Sequence, residues 1–218
     1  MTKLNLANHV RFCEVGGRRV FLDLRIDRYF SLPPPADTAF AALLQGGVPA
    51  PAEIQALRAS GMLVEAPAGR PLDSTSHPEP TASFVEDGEM GKGLTARLMA
   101  EVLILVLQAR SAVRRRRLPK LLSSAADSRG LSESSSADRR DRALADFLRA
   151  RRALPIAPNC LYDSLALKRF LKRRSVAADL VIGTKLHPFA AHCWLQDGTT
   201  VLNDSLAAAR GFAPILVA

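Results

Sequence analysis

A proline-rich segment near the middle of the chain does most to limit what the chain can fold into. Residues 66–93 hold four prolines together with several serines, threonines and acidic residues, and no hydrophobic period runs through them. Such a segment is typical of a linker. A chain of 218 residues is long enough for two small domains. The sequence therefore predicts one domain over 1–65, a linker over 66–93 and a second domain over 94–218.

The first 65 residues alternate polar and apolar side chains, as antiparallel strands do. Two such runs flank the pair Gly16-Gly17, and paired glycines tolerate the positive φ angles of a tight hairpin turn. Three consecutive prolines then end a third strand, because proline cannot donate a backbone hydrogen bond. The block predicts a winged-helix-like module, with strands over 9–15, 19–24 and 28–32 and helices from Asp37 to about Gln45 and from Pro49 to Ser60.

The second block combines helical patterns with strand-like runs, so the whole chain is predicted to be α+β. Its first half predicts two helices, over about 94–113 and from Asp138 to Leu154, separated by the run Arg114 to Arg117 and a serine-rich loop from Ser123 to Ser136. Its second half predicts a helix that begins at Cys160 and ends near Arg174, and then strands over 179–186, 189–196 and 199–203.

Composition narrows the classes of function. The three cysteines follow neither a disulfide nor a zinc spacing, and the first residues do not resemble a secretory signal, so we expect a cytoplasmic protein without a metal site. The most apolar stretch, 98–107, is about half the ~20 residues that span a bilayer. Residues 110–174 hold 18 Lys and Arg against 6 Asp and Glu. A basic segment can bind nucleic acid, but few aromatics accompany these arginines, so we expect no nucleic-acid partner.

Three residues in the second block have the chemistry of a cysteine hydrolase. Asn159 is a good N-cap, which places Cys160 in the first turn of a helix, where the helix dipole favours a thiolate. His192 lies on a predicted strand and Asp204 just after the next one, as a general base and its orienting carboxylate do. The pattern predicts a papain- or transglutaminase-like domain in which the helix of Cys160 packs on an antiparallel sheet. The alternative is that Cys160 is a small buried residue and Asp204 a turn residue.

The hairpin between His192 and Asp204 gives a geometric condition for this triad. A two-residue turn at Asp197-Gly198 places the two side chains on opposite faces of the sheet. A three-residue loop with Gly198 in the left-handed region returns them to one face. We therefore predict the three-residue loop.

The same residues carry a resemblance to a known family. The chain resembles the B protein of lasso-peptide biosynthesis, in the form that fuses a leader-recognition element to a cysteine peptidase. The peptidase half is matched by Pro158-Asn159-Cys160-Leu161, Ala191-His192-Cys193-Trp194 and Leu202-Asn203-Asp204. The recognition half is matched by Phe12-Cys13-Glu14-Val15, by the run from Arg19 to Leu24 and by Asp27-Arg28-Tyr29-Phe30.

The resemblance implies a defined role. A B protein removes the leader from a ribosomally made precursor and hands the core peptide to an asparagine-synthetase-like cyclase, which closes a macrolactam. The resemblance also implies a dependence on ATP, although the sequence holds no glycine-rich phosphate loop of the Walker type.

An exposed strand edge in the first block can accept the leader as an added strand. We expect the third strand to provide this edge and the helix over 51–60 to form the other wall. The predicted leader-binding residues are Asp27, Arg28, Tyr29, Phe30, Ser31, Leu32, Ile54 and Leu57.

The leading hypothesis from the sequence is therefore a cysteine peptidase that binds and removes a leader peptide. A non-catalytic adaptor that delivers the precursor to the cyclase is the main alternative. A transglutaminase reaction would use the same three residues, with an amine in place of water as the acceptor.

Overall fold

The computed structural model describes residues 4–87, 93–115 and 137–218, and these form an α+β chain. The chain divides into two compact units. The first comprises Met1–Ser76 with Ala213–Ile215, and the second comprises His77–Phe212 with Leu216–Ala218. The division between Ser76 and His77 falls inside the proline-rich segment 66–93.

An antiparallel sheet of three strands forms the first unit's centre, in the order β2 (Val10–Val15), β3 (Arg18–Asp23) and β4 (Arg28–Phe30). Gly16 and Gly17 connect β2 to β3 with φ angles of 55° and 74°, as the predicted hairpin requires. The three strands and the following helices, α1 (Pro34–Leu44) and α2 (Pro51–Ala59), are present as predicted. The comparison with a winged helix stays a prediction.

Two features of this unit differ from the prediction. Helix α1 begins at Pro34 rather than at Asp37, because proline is tolerated in the first turn, where its missing N–H is not needed. Asp37 does not cap the helix but accepts from Arg19 Nε at 2.9 Å. A two-stranded sheet, β1 (Leu4–Leu6) with β5 (Leu63–Glu65), was not predicted.

The core of the first unit is aromatic. Phe12 and Phe21 from the sheet and Phe40 from α1 are at most 1% exposed, with ring centroids 5.1 to 5.6 Å apart. Phe30 stacks on Phe21 at 5.4 Å, which fixes β4 on the same core. Offset and edge-on contacts of this kind add to the burial of the rings themselves.

The second unit holds four strands of a five-stranded sheet, in the order β7-β8-β9-β6, and the last residues of β10, which lies beside β7. The predicted strands are β7 (Asp179–Leu186), β8 (Phe189–Asp197) and β9 (Thr200–Val201). The strands β6 (Ala82–Ser83) and β10 (Ala213–Val217) were not predicted. The helices of this part are α3 (Phe84–Asp87), α4 (Ala96–Arg114), α5 (Ala137–Ala153), α6 (Cys160–Lys172) and α7 (Leu206–Arg210).

The second half of the proline-rich segment belongs to this unit. Strand β6 pairs in parallel with β9, and Thr81 N–H donates to Thr199 O at 2.8 Å. Gln196, which is fully buried, donates its amide to Pro78 O at 2.7 Å. Proline removes a donor but keeps its carbonyl, so a proline-rich segment can still be held by side-chain donors.

Helix α6 packs between the sheet and helices α4 and α5. Its inner face is buried from Ser164 to Phe170, and Phe170 meets Phe147 of α5 at 5.3 Å. Two arginines of the basic region, Arg140 and Arg174, form ion pairs with Asp197 and Glu101 at 2.7 and 2.9 Å. The serine-rich stretch from Ser123 to Ser136 lies outside the described residues, as do Arg116 and Arg117. Among the described helices, none is long and apolar enough to cross a membrane.

Candidate active site

The first residue of helix α6 is Cys160, and the residues around it form a reciprocal cap. Asn159 Oδ1 accepts from Tyr162 N–H at 3.1 Å, as predicted, and Asn159 N–H donates to Asp163 Oδ2 at 3.0 Å. Two backbone donors at the start of the helix are thereby satisfied. The cap fixes the helix start at Cys160 and keeps its half-buried thiol at the positive end of the helix.

A buried arginine holds the segment that leads into this helix. Arg151 of α5 is 8% exposed and donates from Nε to Asp163 Oδ1 at 2.7 Å. Its other nitrogens donate to the carbonyls of Ile156 and Ala157 at 3.0 and 3.2 Å. Arg151 therefore ties the loop before Cys160 to the first turn after it. Helix α5 contains several other arginines, so the sequence alone did not predict that Arg151 is the buried one.

The structure brings Cys160, His192 and Asp204 into one connected group. His192 Nε2 lies 2.5 Å from Asp204 Oδ2, and the His192 ring also hydrogen-bonds the Cys160 side chain. Since Nε2 is bonded to Asp204, Nδ1 is the ring nitrogen left for the thiol. A thiol, an imidazole and a carboxylate are linked in the order in which a cysteine hydrolase arranges such groups.

The electrostatics of this group favour a thiolate beside an imidazolium. The hydrogen bond from His192 lowers the pKa of Cys160, against the opposing effect of burial. The hydrogen bond to Asp204, and then that to Cys160, raise the pKa of His192 to about 9. Burial raises the pKa of Asp204, but the hydrogen bonds from His192 and Ser205 outweigh it and keep that pKa below its ordinary value. The lowered pKa of Cys160 and the raised pKa of His192 both favour the thiolate–imidazolium form that nucleophilic attack needs.

The hairpin that connects His192 to Asp204 is not the predicted three-residue loop. Asp197 pairs with Thr200, so the loop has two residues and begins at Gly198. Gly198 has a φ of 56°, in the left-handed region as predicted. This register would place His192 and Asp204 on opposite faces of a continued sheet. The prediction that the two residues can meet only across a three-residue loop is therefore wrong.

Asp204 reaches His192 because the chain leaves the sheet first. Strand β9 ends at Val201, so the alternation of side chains across a strand no longer applies at Asp204. Ser83, which is 1% exposed, donates to the Asp204 carbonyl at 2.6 Å. The Ser205 N–H donates to Asp204 Oδ1 at 2.7 Å and leaves Oδ2 for His192. The carboxylate is thus held by a loop and not by a strand.

A glycine and two aromatic rings support His192 from its other side. Gly183 of β7 pairs directly with His192. A β-carbon at Gly183 would lie 2.8 Å from Phe212 Cβ and 2.9 Å from the ring of Trp194. The Phe212 and Trp194 ring centroids lie 5.1 and 6.1 Å from that of His192. This support was not predicted from the sequence, although a lone glycine inside an apolar strand is a known signal of close approach.

The other two cysteines are core residues. Cys13 is 2% exposed and Cys193 is 3% exposed. Burial raises the pKa of the Cys193 thiol, so its side chain is inert although it neighbours His192 in the sequence.

The predicted leader-binding residues lie along an outer strand and one helix of the first unit. Within the described residues β4 pairs with β3 alone, so β4 is an edge of its sheet. Asp27, Arg28 and Ser31 are exposed, and Tyr29 and Ile54 are half-buried. Three of the set face the core: Phe30 stacks on Phe21, Leu32 packs on the core cluster, and Leu57 is 2% exposed within it.

The described residues offer little for a metal or for ATP. They contain no group of three or more His, Cys, Asp or Glu side chains that could hold a metal ion. Within residues 4–87, 93–115 and 137–218, no glycine-rich loop joins a strand to a helix, so a phosphate cradle of that type is not built here. These residues do not fit the ATP dependence that the resemblance implies.

Comparison with known proteins shows what this chain is similar to. A curated relative, the microcin J25-processing protein McjB of Escherichia coli, is 47% identical over 47 residues, which are 22% of this chain and 23% of that protein. The matched part is therefore less than a quarter of the relative's length. None of the solved structures matches the chain significantly. The family model of the transglutaminase-like superfamily matches residues 103–217, which is more than half of the chain and includes Cys160, His192 and Asp204. Both matches confirm the resemblance to the lasso-peptide B proteins, and the chain belongs to the transglutaminase-like superfamily.

Proposed function

We propose that the protein is a cysteine peptidase that removes the leader from a ribosomally made lasso-peptide precursor. The observation that carries the proposal is the linked group of Cys160, His192 and Asp204, in which the pKa of the thiol is lowered and that of the imidazole is raised. The match to a microcin-processing protein supports a peptide precursor as the substrate.

The proposed reaction has two steps. The Cys160 thiolate attacks the carbonyl at the leader–core junction, and His192 gives its proton to the departing amine of the core peptide. A thioester to the leader remains. His192 then takes a proton from water, which attacks the thioester and releases the leader acid and the thiol. Asp204 keeps the imidazole in one orientation and stabilises its charged form.

The developing negative charge on the carbonyl oxygen needs hydrogen-bond donors. The Cys160 backbone N–H is the proposed first donor, because it lies at the helix start beside the nucleophile.

The leader is proposed to bind in the first unit, along β4 and the half-buried face of α2. An added strand would satisfy the outward backbone groups of β4. Binding to the full chain carrying Cys160→Ala tests this without cleavage. Ile54→Asp is expected to weaken binding of the precursor at least about tenfold. The matched control is Ile104→Asp on α4, also a partly exposed isoleucine, which is expected to leave binding unchanged.

Mass spectrometry of the precursor incubated with the protein tests the proposed reaction. We expect a free leader acid and a core peptide with a new N-terminal amine, with no cleavage by Cys160→Ala and normal cleavage by Cys193→Ala. Unchanged maturation by Cys160→Ala in the presence of the cyclase would establish the adaptor instead. Incorporation of an added amine into the leader would identify a transglutaminase reaction.

A further inference from the structure

We propose that Ser164 and Asn203 form a positioning pair that holds the loop of Asp204 against the helix of Cys160. Both residues lie beside the site, and neither is one of its three reacting groups. The inference rests on the proposed roles of Cys160 and Asp204 and adds the means by which two separate elements are kept in register.

The side-chain oxygen of Asn203 takes the place of a backbone carbonyl as a hydrogen-bond acceptor at the end of β9. Leu202 N–H donates to Leu195 O at 2.9 Å, which is one half of a hydrogen-bonded antiparallel pair. In a continued ladder the Leu195 N–H would donate to the Leu202 carbonyl. It donates instead to Asn203 Oδ1 at 2.7 Å. The side chain of Asn203 thus closes the ladder while the backbone turns away toward His192.

Ser164 connects this turn to the helix of the nucleophile. Asn203 Nδ2 donates to Ser164 Oγ at 2.8 Å, and Ser164 Oγ donates to Cys193 O at 3.2 Å. The amide orientation is fixed, because Leu195 N–H can only donate and so must face the oxygen. Ser164 is fully buried, so no water competes for these hydrogen bonds.

Helix α6 contacts β8, the strand that carries His192, through the backbone of one residue, Cys193. Beyond β9 no described strand pairs with the outer edge of β8, and the backbone groups of Cys193 face this edge, as those of Leu195 do two residues later. The carbonyl accepts from Ser164, and the N–H donates to the Cys160 side chain. Cys160 and Ser164 are four residues apart, so they lie on one face of the helix. One helical turn is thereby docked on one residue of the strand.

The pair therefore connects three elements through neighbouring hydrogen bonds. Without it, Asp204 would lose the turn that aims it at His192. Because the bond to Asp204 is the largest cause of the raised pKa of His192, the imidazolium would be less favoured. The thiolate of Cys160 would then lose its charged partner, and its reactivity would require a higher pH.

The pH dependence of iodoacetamide labelling at Cys160 tests the pair in the full chain without a substrate. Ser164→Ala and Asn203→Ala are expected to move the midpoint of labelling upward by about one pH unit, which is a tenfold loss of thiolate below it. The double variant is expected to shift little more than the larger single shift, because both act through one network. Thr95 caps α4, and its Oγ1 accepts from Leu98 N–H at 3.2 Å. Thr95→Ala therefore serves as a destabilised control, in which the midpoint of labelling is expected to stay at the wild-type pH.

A wild-type midpoint in folded Ser164→Ala and Asn203→Ala would overturn the proposal, as would an equal shift in Thr95→Ala. If Asn203→Ala does not fold by circular dichroism, Ser164→Ala decides alone. Loss of folding in both would also overturn it, since the pair would then be needed for folding and not for positioning. An upward shift in a protein that cleaves no precursor would support the pair while removing the proposed peptidase function.

Discussion

Gly183 lies directly opposite His192 on the neighbouring strand, and the space that its missing side chain leaves is filled by Phe212 and Trp194. Gly183→Ala would force Phe212 or Trp194 to move, because the new β-carbon would lie 2.8 Å from Phe212 Cβ and 2.9 Å from the Trp194 ring. We expect a loss of about 1–3 kcal/mol in the free energy of unfolding, as for other overpacked cores. We also expect slower turnover with little change in KM, since both rings contact His192, the proposed base. Ala191→Gly, at an exposed position one residue from His192, is the control; wild-type stability and kcat in Gly183→Ala would contradict the expectation.

Selective labelling checks the state of the nucleophile. Near neutral pH, iodoacetamide is expected to modify Cys160 well before Cys13 or Cys193, because only Cys160 is both accessible and lowered in pKa. Peptide mapping by mass spectrometry after brief exposure gives the order. Equal labelling of all three in the folded chain would show that Cys160 is an ordinary thiol.

The activity is expected to depend on pH in a bell-shaped manner. It should rise as Cys160 ionises, below the usual range of a thiol, and fall near pH 9 as His192 loses its proton. These limits belong to the pair, because the two groups titrate together. The raised pKa of His192 also contributes to the free energy of unfolding. This contribution is fully present at pH values below 6.5, the pKa of His192 in the unfolded chain, and it is lost as the pH rises through about 9. A rate that keeps rising above pH 9 would exclude the ion pair.

Asp204→Asn tests whether Asp204 orients the His192 imidazole without being needed for folding. The asparagine keeps the shape but not the charge, so turnover should fall by something like the ~10⁴-fold seen for the same change in serine proteases. The alkaline limit should also move to lower pH, because the hydrogen bond to Asp204 is the largest cause of the raised pKa of His192. Circular dichroism and binding of the precursor should remain as in the wild type. Near-normal cleavage would remove Asp204 from the mechanism.

Two arginines allow a buried and an exposed ion pair of equal length to be compared. Arg151 bonds Asp163 at 2.7 Å and is 8% exposed, whereas Arg58 bonds Glu65 at 2.7 Å with both side chains about half exposed. Arg151→Met should destabilise the fold by about 3–5 kcal/mol, because it strands a partly buried carboxylate and two carbonyls. Arg58→Met should cost less than about 1 kcal/mol. Urea denaturation measures the free energy of unfolding of both variants. Similar losses in the two would show that Arg151 does not hold the loop before Cys160.

Local patterns predicted most elements of the fold. The glycine pair at Gly16-Gly17 and the cap at Asn159 act through the nearest residues, so the hairpin of the first unit and the start of α6 were predictable. Strands β1 and β6 carry too few residues to show a period, and β1, β6 and β10 all pair with partners that are distant in the sequence or were not predicted to neighbour them. The proline-rich segment was interpreted as a linker for the same reason, since its pairing with β9 is not local.

In the candidate site, too, local patterns were predictable and contacts between distant residues were not. Residue types and spacing predicted which three side chains meet, but the parity argument about the hairpin failed. It assumed that β9 continues to Asp204, whereas Asn203 ends the ladder with its side chain. A hydrogen bond between a side chain and a backbone group eight residues away leaves no periodic signal.

The docking of α6 on Cys193 has a consequence for how this site would look in mutational scans. Both hydrogen bonds of this docking use the main chain of Cys193, so alanine there keeps them and loses only the thiol, which contacts Ser164. Proline is the informative replacement, because it deletes the N–H that faces the Cys160 sulfur. Scans restricted to side-chain truncation would therefore overlook the residue on which the nucleophile's helix rests.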